Sequence, residues 1–121
     1  MPLVEDGIET IAGAIGGSGA IPSHMAIGTG STTVTDAQTA LNTEVDRNIL
    51  TNINTATAKD VIQTGDFSST EMSGNTLGEF GLFNAASAGS MFLREAVAAD
   101  SFEGDRELQI QTTLRFAKSG T

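Results

Sequence analysis

His24 is the only imidazole in the chain, and Ser23, Ser31 and Asp36 stand close to it in sequence. A serine, a histidine and a carboxylate can run acyl transfer, the imidazole drawing the proton from the hydroxyl. Neither serine lies in the Gly-x-Ser-x-Gly turn that presents such a nucleophile. His24 is therefore read as a packed or half-exposed strand residue. Paired carboxylates are the second candidate: Glu71, Glu79, Glu95 and the run Asp100, Glu103, Asp105, Glu107. Two carboxyls across a cleft hydrolyse glycosides, and several oxygens on one loop hold a calcium ion. With no Trp or Tyr to platform a sugar, and no EF-hand spacing in 100–107, the reading here is a solvated charge run. Gly28-Thr-Gly-Ser-Thr-Thr lacks the Gly-Lys-Ser/Thr ending of a phosphate loop. Gly16-Gly-Ser-Gly follows a helical pattern rather than a strand, so it is no dinucleotide fingerprint. Both are read as turns, and the chain is expected to be no enzyme and to carry no metal or cofactor.

Composition narrows the remaining classes. The 121 residues hold 6 basic and 15 acidic side chains, a net charge of −9. Phosphate binding needs a surplus of Lys and Arg, so no nucleic-acid surface is expected. Without cysteine there is neither a disulfide framework nor a thiolate metal site. No apolar run approaches the roughly 20 residues of a membrane span, and the N-terminus lacks the basic region of a secretory signal. Leu, Ile, Val and Phe together are 28 of 121 residues, a thin core for one domain of this length. Lys59 and Lys118 are the only lysines. An acidic, lysine-poor surface of small residues suits a salty cytoplasm, because dense negative charge keeps a protein soluble.

The elements that must position these residues follow from periodicity. Ile8, Ile11 and Ile15 recur at spacings of three and four, predicting a helix over 4–15 with Glu5 and Asp6 in its first turn. Residues 1–20 then read as helix plus Gly-rich linker, and 21–121 as a β-rich body of the same single domain. Residues 23–28 predict a short strand. Thr35 and Gln38 make a capping-box pattern, and Ala37, Leu41 and Val45 lie four apart, predicting a second short helix near 36–47. On that helix Glu44 and Arg47 would form a structural ion pair. Residues 59–68, 77–83 and 90–97 read as strands, 69–75 as a polar loop, 84–89 as a turn with Gly89 suited to positive φ, and 98–106 as an acidic loop. From 107 to 116, Leu108, Ile110, Thr112, Leu114 and Phe116 alternate strictly with polar residues, a strand with one wet side. In 77–83, Leu77 and Phe83 point one way and Phe80 and Leu82 the other, so this strand is central or sandwiched between subunits, and Gly78 and Gly81 permit a bulge or a close backbone approach. The fold class is mainly β, an antiparallel sandwich or barrel-like sheet with an N-terminal helix and one further short helix.

Two stretches together resemble small structural proteins of tailed phages, the collar-type tail-fibre and baseplate-associated domains. The first is His24-Met-Ala-Ile-Gly-Thr-Gly-Ser-Thr followed by Leu41-Asn-Thr-Glu44-Val-Asp-Arg47. The second runs from Leu77-Gly-Glu79-Phe80-Gly81-Leu82-Phe83-Asn84 through Gly89 to Met91-Phe-Leu93-Arg94. The match spans 24 to about 116, and Gly78 departs from it where a β-branched or charged residue is common. The resemblance implies a non-enzymatic virion protein, a stand-alone module without a fibre shaft, made in the host cytoplasm and placed in the tail or baseplate region. Its partners would be further copies of itself, as a trimer or higher symmetric oligomer, neighbouring virion proteins, and a host receptor. Capsid decoration or a spike subunit is the alternative within this class; a glycan-binding module using loops 69–75 and 98–106 is the alternative outside it. The acidic composition adds a haloarchaeal host to these expectations. Ile8, Ile11, Ile15, Phe80, Leu82, Phe83 and Phe92 are the residues expected in the core or at subunit contacts.

Overall fold

A computed structural model describes residues 3–17, 21–57 and 59–115. One helix, α1 (Glu5–Ile15), precedes the strands β1 (His24–Gly28), β2 (Glu44–Ile49), β3 (Asn52–Thr57), β4 (Asp60–Phe67), β5 (Thr76–Phe83), β6 (Met91–Ser101) and β7 (Leu108–Arg115). They form two antiparallel sheets, ordered β2-β1-β5-β6 and β3-β4-β7. The protein is thus mainly β with an N-terminal helix. The β2–β3 segment changes sheets at Leu50 and Thr51, whose N–H groups donate to Ser23 O and Thr64 O respectively. A strand that turns such a corner joins the two layers along one side.

Register assigns the faces. Met25 pairs with Leu82, Ile27 with Phe80, and Leu82 with Leu93. These five side chains are buried with Phe67, Met72, Leu77 and Phe102 in the main core between the sheets. Each such buried side chain stabilises the fold by about 1.5–3 kcal/mol. A second cluster of Val4, Ala26, Leu41, Phe83 and Met91 lies on the other face of the four-stranded sheet, beneath the 29–43 loop. β5 is central and has apolar side chains in both clusters. Between the Leu77–Asp100 and Glu79–Ala96 pairs β6 carries two extra residues within 97–99, and Leu77 packs in the Phe80–Leu82 cluster, correcting its expected place beside Phe83. A further bulge at Phe92 interrupts the alternation along β6.

The expected helix near 36–47 does not form. Its start signal is real: Thr35 N–H donates to Gln38 Oε1 at 3.1 Å, and Gln38 N–H to Thr35 O at 3.2 Å. The chain nevertheless leaves the helical path after one turn, because two longer-range contacts outbid a weak propensity. Leu41 is buried against the outer cluster, and Glu44–Ile49 pairs with β1. The expected acidic loop 98–106 is also shortened, since β6 continues to Ser101 opposite Thr76.

Helix α1 packs on β6 through Gly7, where a Cβ would lie 2.1 Å from Phe92 O. Only glycine allows that approach. The preceding residues extend the sheet: Leu3 bridges Leu93, and Val4 N–H donates to Phe92 O at 3.1 Å. Ile11 packs against the main core, whereas Ile8 is 57% exposed and Ile15 83% exposed. Phe80, Leu82, Phe83 and Phe92 lie in the chain's own core. Phe116, expected on the inner face of β7, lies outside the described residues.

Candidate functional site: a buried ion pair under the 29–43 loop

Glu79 on β5 and Arg94 on β6 share the outer face of the four-stranded sheet, with Glu79 Oε1 2.7 Å from Arg94 Nε and both side chains fully buried. Two charges out of water must use all their hydrogen-bonding capacity. Glu79 Oε2 accepts from Gly30 N–H at 2.9 Å and Thr43 N–H at 2.7 Å, and Oε1 also accepts from Asn42 N–H at 2.8 Å. Arg94 Nη1 donates to Thr32 O at 2.8 Å. The pair thereby holds both ends of the 29–43 loop. Gly30 is required at its place, because a Cβ there would lie 2.4 Å from Glu79 Oε2. Burial pushes the Glu79 carboxyl up, but the hydrogen bonds from Thr43, Arg94, Asn42 and Gly30 outweigh it and hold the group below its ordinary range. A carboxylate kept ionised and fully engaged has no capacity left for proton transfer.

Arg47 makes a second clamp. The expected Glu44–Arg47 pair forms, at 2.7 Å from Nη2 and 3.0 Å from Nε, on a strand rather than a helix. Residues three apart on a regular strand face opposite ways; a bulge at Val45 sets Glu44 opposite Gly28 and Arg47 opposite Ala26, on one face. Arg47 Nη1 donates to Ala85 O at 3.0 Å and Ala88 O at 2.8 Å, and its Cζ stacks 3.7 Å from the Phe83 ring centroid. The guanidinium thus ties β2 to the 84–90 turn, where Gly89 has φ +73° and Asn84 Oδ1 accepts from Ser90 N–H.

At the seam between sheets, burial and then the neighbouring Glu71 carboxyl push the Asp46 carboxyl above its ordinary 3.8. Glu71 is raised by burial but lowered more by Asp46, Ser68 N–H and Asn48, so it stays ionised.

The remaining candidates do not converge. His24 Nδ1 lies 2.7 Å from Ser23 Oγ, and no carboxylate reaches it among the described residues. Asp36 instead accepts from Glu5 N–H through its backbone carbonyl at the start of α1. Ser31 is exposed in the loop. Glu95 Oε2 is buried without a hydrogen-bond partner among the described residues. Asp100 pairs with Arg106, whose guanidinium stacks on Phe102, so the 100–106 segment closes on its own cation. No three Asp, Glu or His side chains gather as a metal site among the described residues. Loops 69–75 and 98–106 do meet: Gly74 N–H donates to Phe102 O at 2.8 Å, and Phe102 N–H to Asn75 O at 3.0 Å.

The Glu79–Arg94 pair is the feature that sequence reasoning left unpaired. A signal existed, since each charge interrupts an apolar strand run and such a residue needs a partner when buried. A groove of about 280 Å³ opens between α1 and the three-stranded sheet, lined by Ile11, Ile15, Ile21, Ile53, Val61 and Leu114 among others, with Gln63 its one hydrogen-bonding side chain. No protein-family model matches the chain, and no curated protein matches it.

Proposed function

We propose that the protein is a non-enzymatic structural component of a tailed-virus particle, in the tail, baseplate or fibre-attachment region, that works by assembling with copies of itself and neighbouring virion proteins. The carrying observation is how the motif residues are used. Glu79, Arg94, Arg47, Leu41 and Asn84 spend their polar and apolar groups on holding the 29–43 loop and the 84–90 turn. That is the use a rigid assembly part makes of such residues, and among the described residues it brings no acid, base and nucleophile together. Apolar surface left uncovered at Ile15, Ile21, Ile49 and Ile53 fits a protomer completed by others. Closed symmetric assembly is the usual solution, proposed here as a trimer or higher oligomer. The acidic, lysine-poor composition fits a haloarchaeal host. Light scattering in molar salt tests the assembly, with a multiple of the 12.4 kDa chain expected. Localisation in an electron-microscopy map of the particle tests the address. A monomer at every concentration, with no affinity for virion proteins, overturns the reading.

A second reading rests on the juxtaposed loops 69–75 and 98–106, which would form a host-glycan surface. A glycan array with no binding removes it.

A further inference from the structure

Strand β7 is the outer strand of its sheet, with β4 on one side and no backbone partner from the described residues on the other. An outer strand exposes a row of N–H and C=O groups that another chain can pair, and proteins ordinarily block it with bulges, proline, lysine or a covering segment. Three of the four sheet edges here are blocked or broken. The β6 edge carries Leu3 and Val4, β2 is bulged at Val45, and the β3–β4 register shifts between Asn54 and Thr57. β7 has none of these devices: Leu108-Gln-Ile-Gln-Thr-Thr-Leu-Arg115 runs through eight unbroken pairs with β4 and contains no Gly, Pro or Lys.

We propose that β7 pairs antiparallel with β7 of a second copy across a two-fold axis at Gln111, joining two three-stranded sheets into one of six. The occupant follows from the sequence of the edge itself. That register sets Gln111 opposite Gln111, Gln109 opposite Thr113, Ile110 opposite Thr112 and Leu108 opposite Leu114. It also sets Glu107 opposite Arg115, so each end carries an opposite-charge pair between two chains that each bear −9 overall. Arg115 is 68% exposed on its side chain despite its bond to Asp60 at 2.8 Å, which leaves it open to a second carboxylate. Leu108, Ile110 and Leu114 are only half-buried on the inner face, and the second strand covers them. A one-residue slip would turn those side chains to the wet face, which pins the register.

The inference rests on the self-assembly part of the proposed function and specifies its contact. A two-fold contact gives a dimer as the unit which, combined with a ring, builds an even-numbered assembly of four or more copies.

The chain has no cysteine, so engineered ones report without background. Directly opposed residues on neighbouring strands have Cα atoms about 4.5–5.5 Å apart, within disulfide reach. Under mild oxidation Gln111→Cys is expected to convert most of the protein to a covalent dimer. Gln109→Cys alone is expected not to, because its copy lies four residues away, about 13 Å. Gln109→Cys combined with Thr113→Cys is expected to cross-link. Light scattering of the unsubstituted chain runs alongside. Oligomers without the Gln111→Cys cross-link, equal cross-linking by all three variants, or a trimer each overturn the β7 contact while leaving assembly standing. A monomer throughout overturns both.

Discussion

Glu79 and Arg94, fifteen residues apart on neighbouring strands, meet at 2.7 Å with no solvent contact, and between them bind Gly30, Thr32, Asn42 and Thr43. This fully buried ionic contact is therefore a fastening for a loop.

Removing one member leaves the other charge buried and unpaired. Glu79→Gln or Arg94→Met is expected to cost about 3–5 kcal/mol, a large part of a small domain's stability. Urea titration measures it. In the double variant the losses are expected to be far from additive, since the two side chains share one network. Additive losses would show that each acts alone.

Arg47→Lys keeps the charge but loses the planar fork that reaches Glu44, Ala85 O and Ala88 O together. The expected loss is about 1–3 kcal/mol. Amide exchange at 84–90 should accelerate more than exchange in β5. Uniform acceleration would mean that the clamp is not local.

The seam acids give opposite pH dependences. Asp46 has its carboxyl raised in the folded state, so its contribution is complete below the ordinary value of 3.8 and is lost as pH rises through the raised one. Glu71 and Glu79 are lowered, so theirs are present above the ordinary 4.5 and lost as pH falls through the lowered values. Asp46→Asn is therefore expected to stabilise the protein near neutrality and to flatten the decline that begins above pH 3.8. Denaturation from pH 3 to 8 checks this, and an unchanged profile would refute it.

Salt should act mainly through the net charge of −9. The screening length falls from about 10 Å at 0.1 M to about 3 Å at 1 M. The melting temperature is expected to climb steeply over that range in KCl. A flat response would remove the physical basis for the high-salt reading.

Helix α1 and strand β7 were legible in the sequence because each repeats its apolar residues at the period of its own backbone, although of the three helix isoleucines Ile11 packs on the core while Ile8 and Ile15 stay exposed. The need of β5 for cover on both sides was legible too, since its apolar residues point both ways, and the sheet order then places it between β1 and β6. The segment 36–49 was not. Thr35 and Gln38 started a turn as their types dictate, but whether Glu44–Ile49 continued as helix depended on β1, sixteen or more residues earlier, offering an edge to pair. The same limit hid the partnership of Glu79 and Arg94 and the bulges in β6 at 97–99 and Phe92 and in β2 at Val45. Period and turn chemistry are properties of neighbours along the chain, so the sequence by itself determined helix α1 and the two faces of β7. Which charge is buried, and which backbone lies against which, is set by contacts closed between distant segments, and only the tertiary structure decided them.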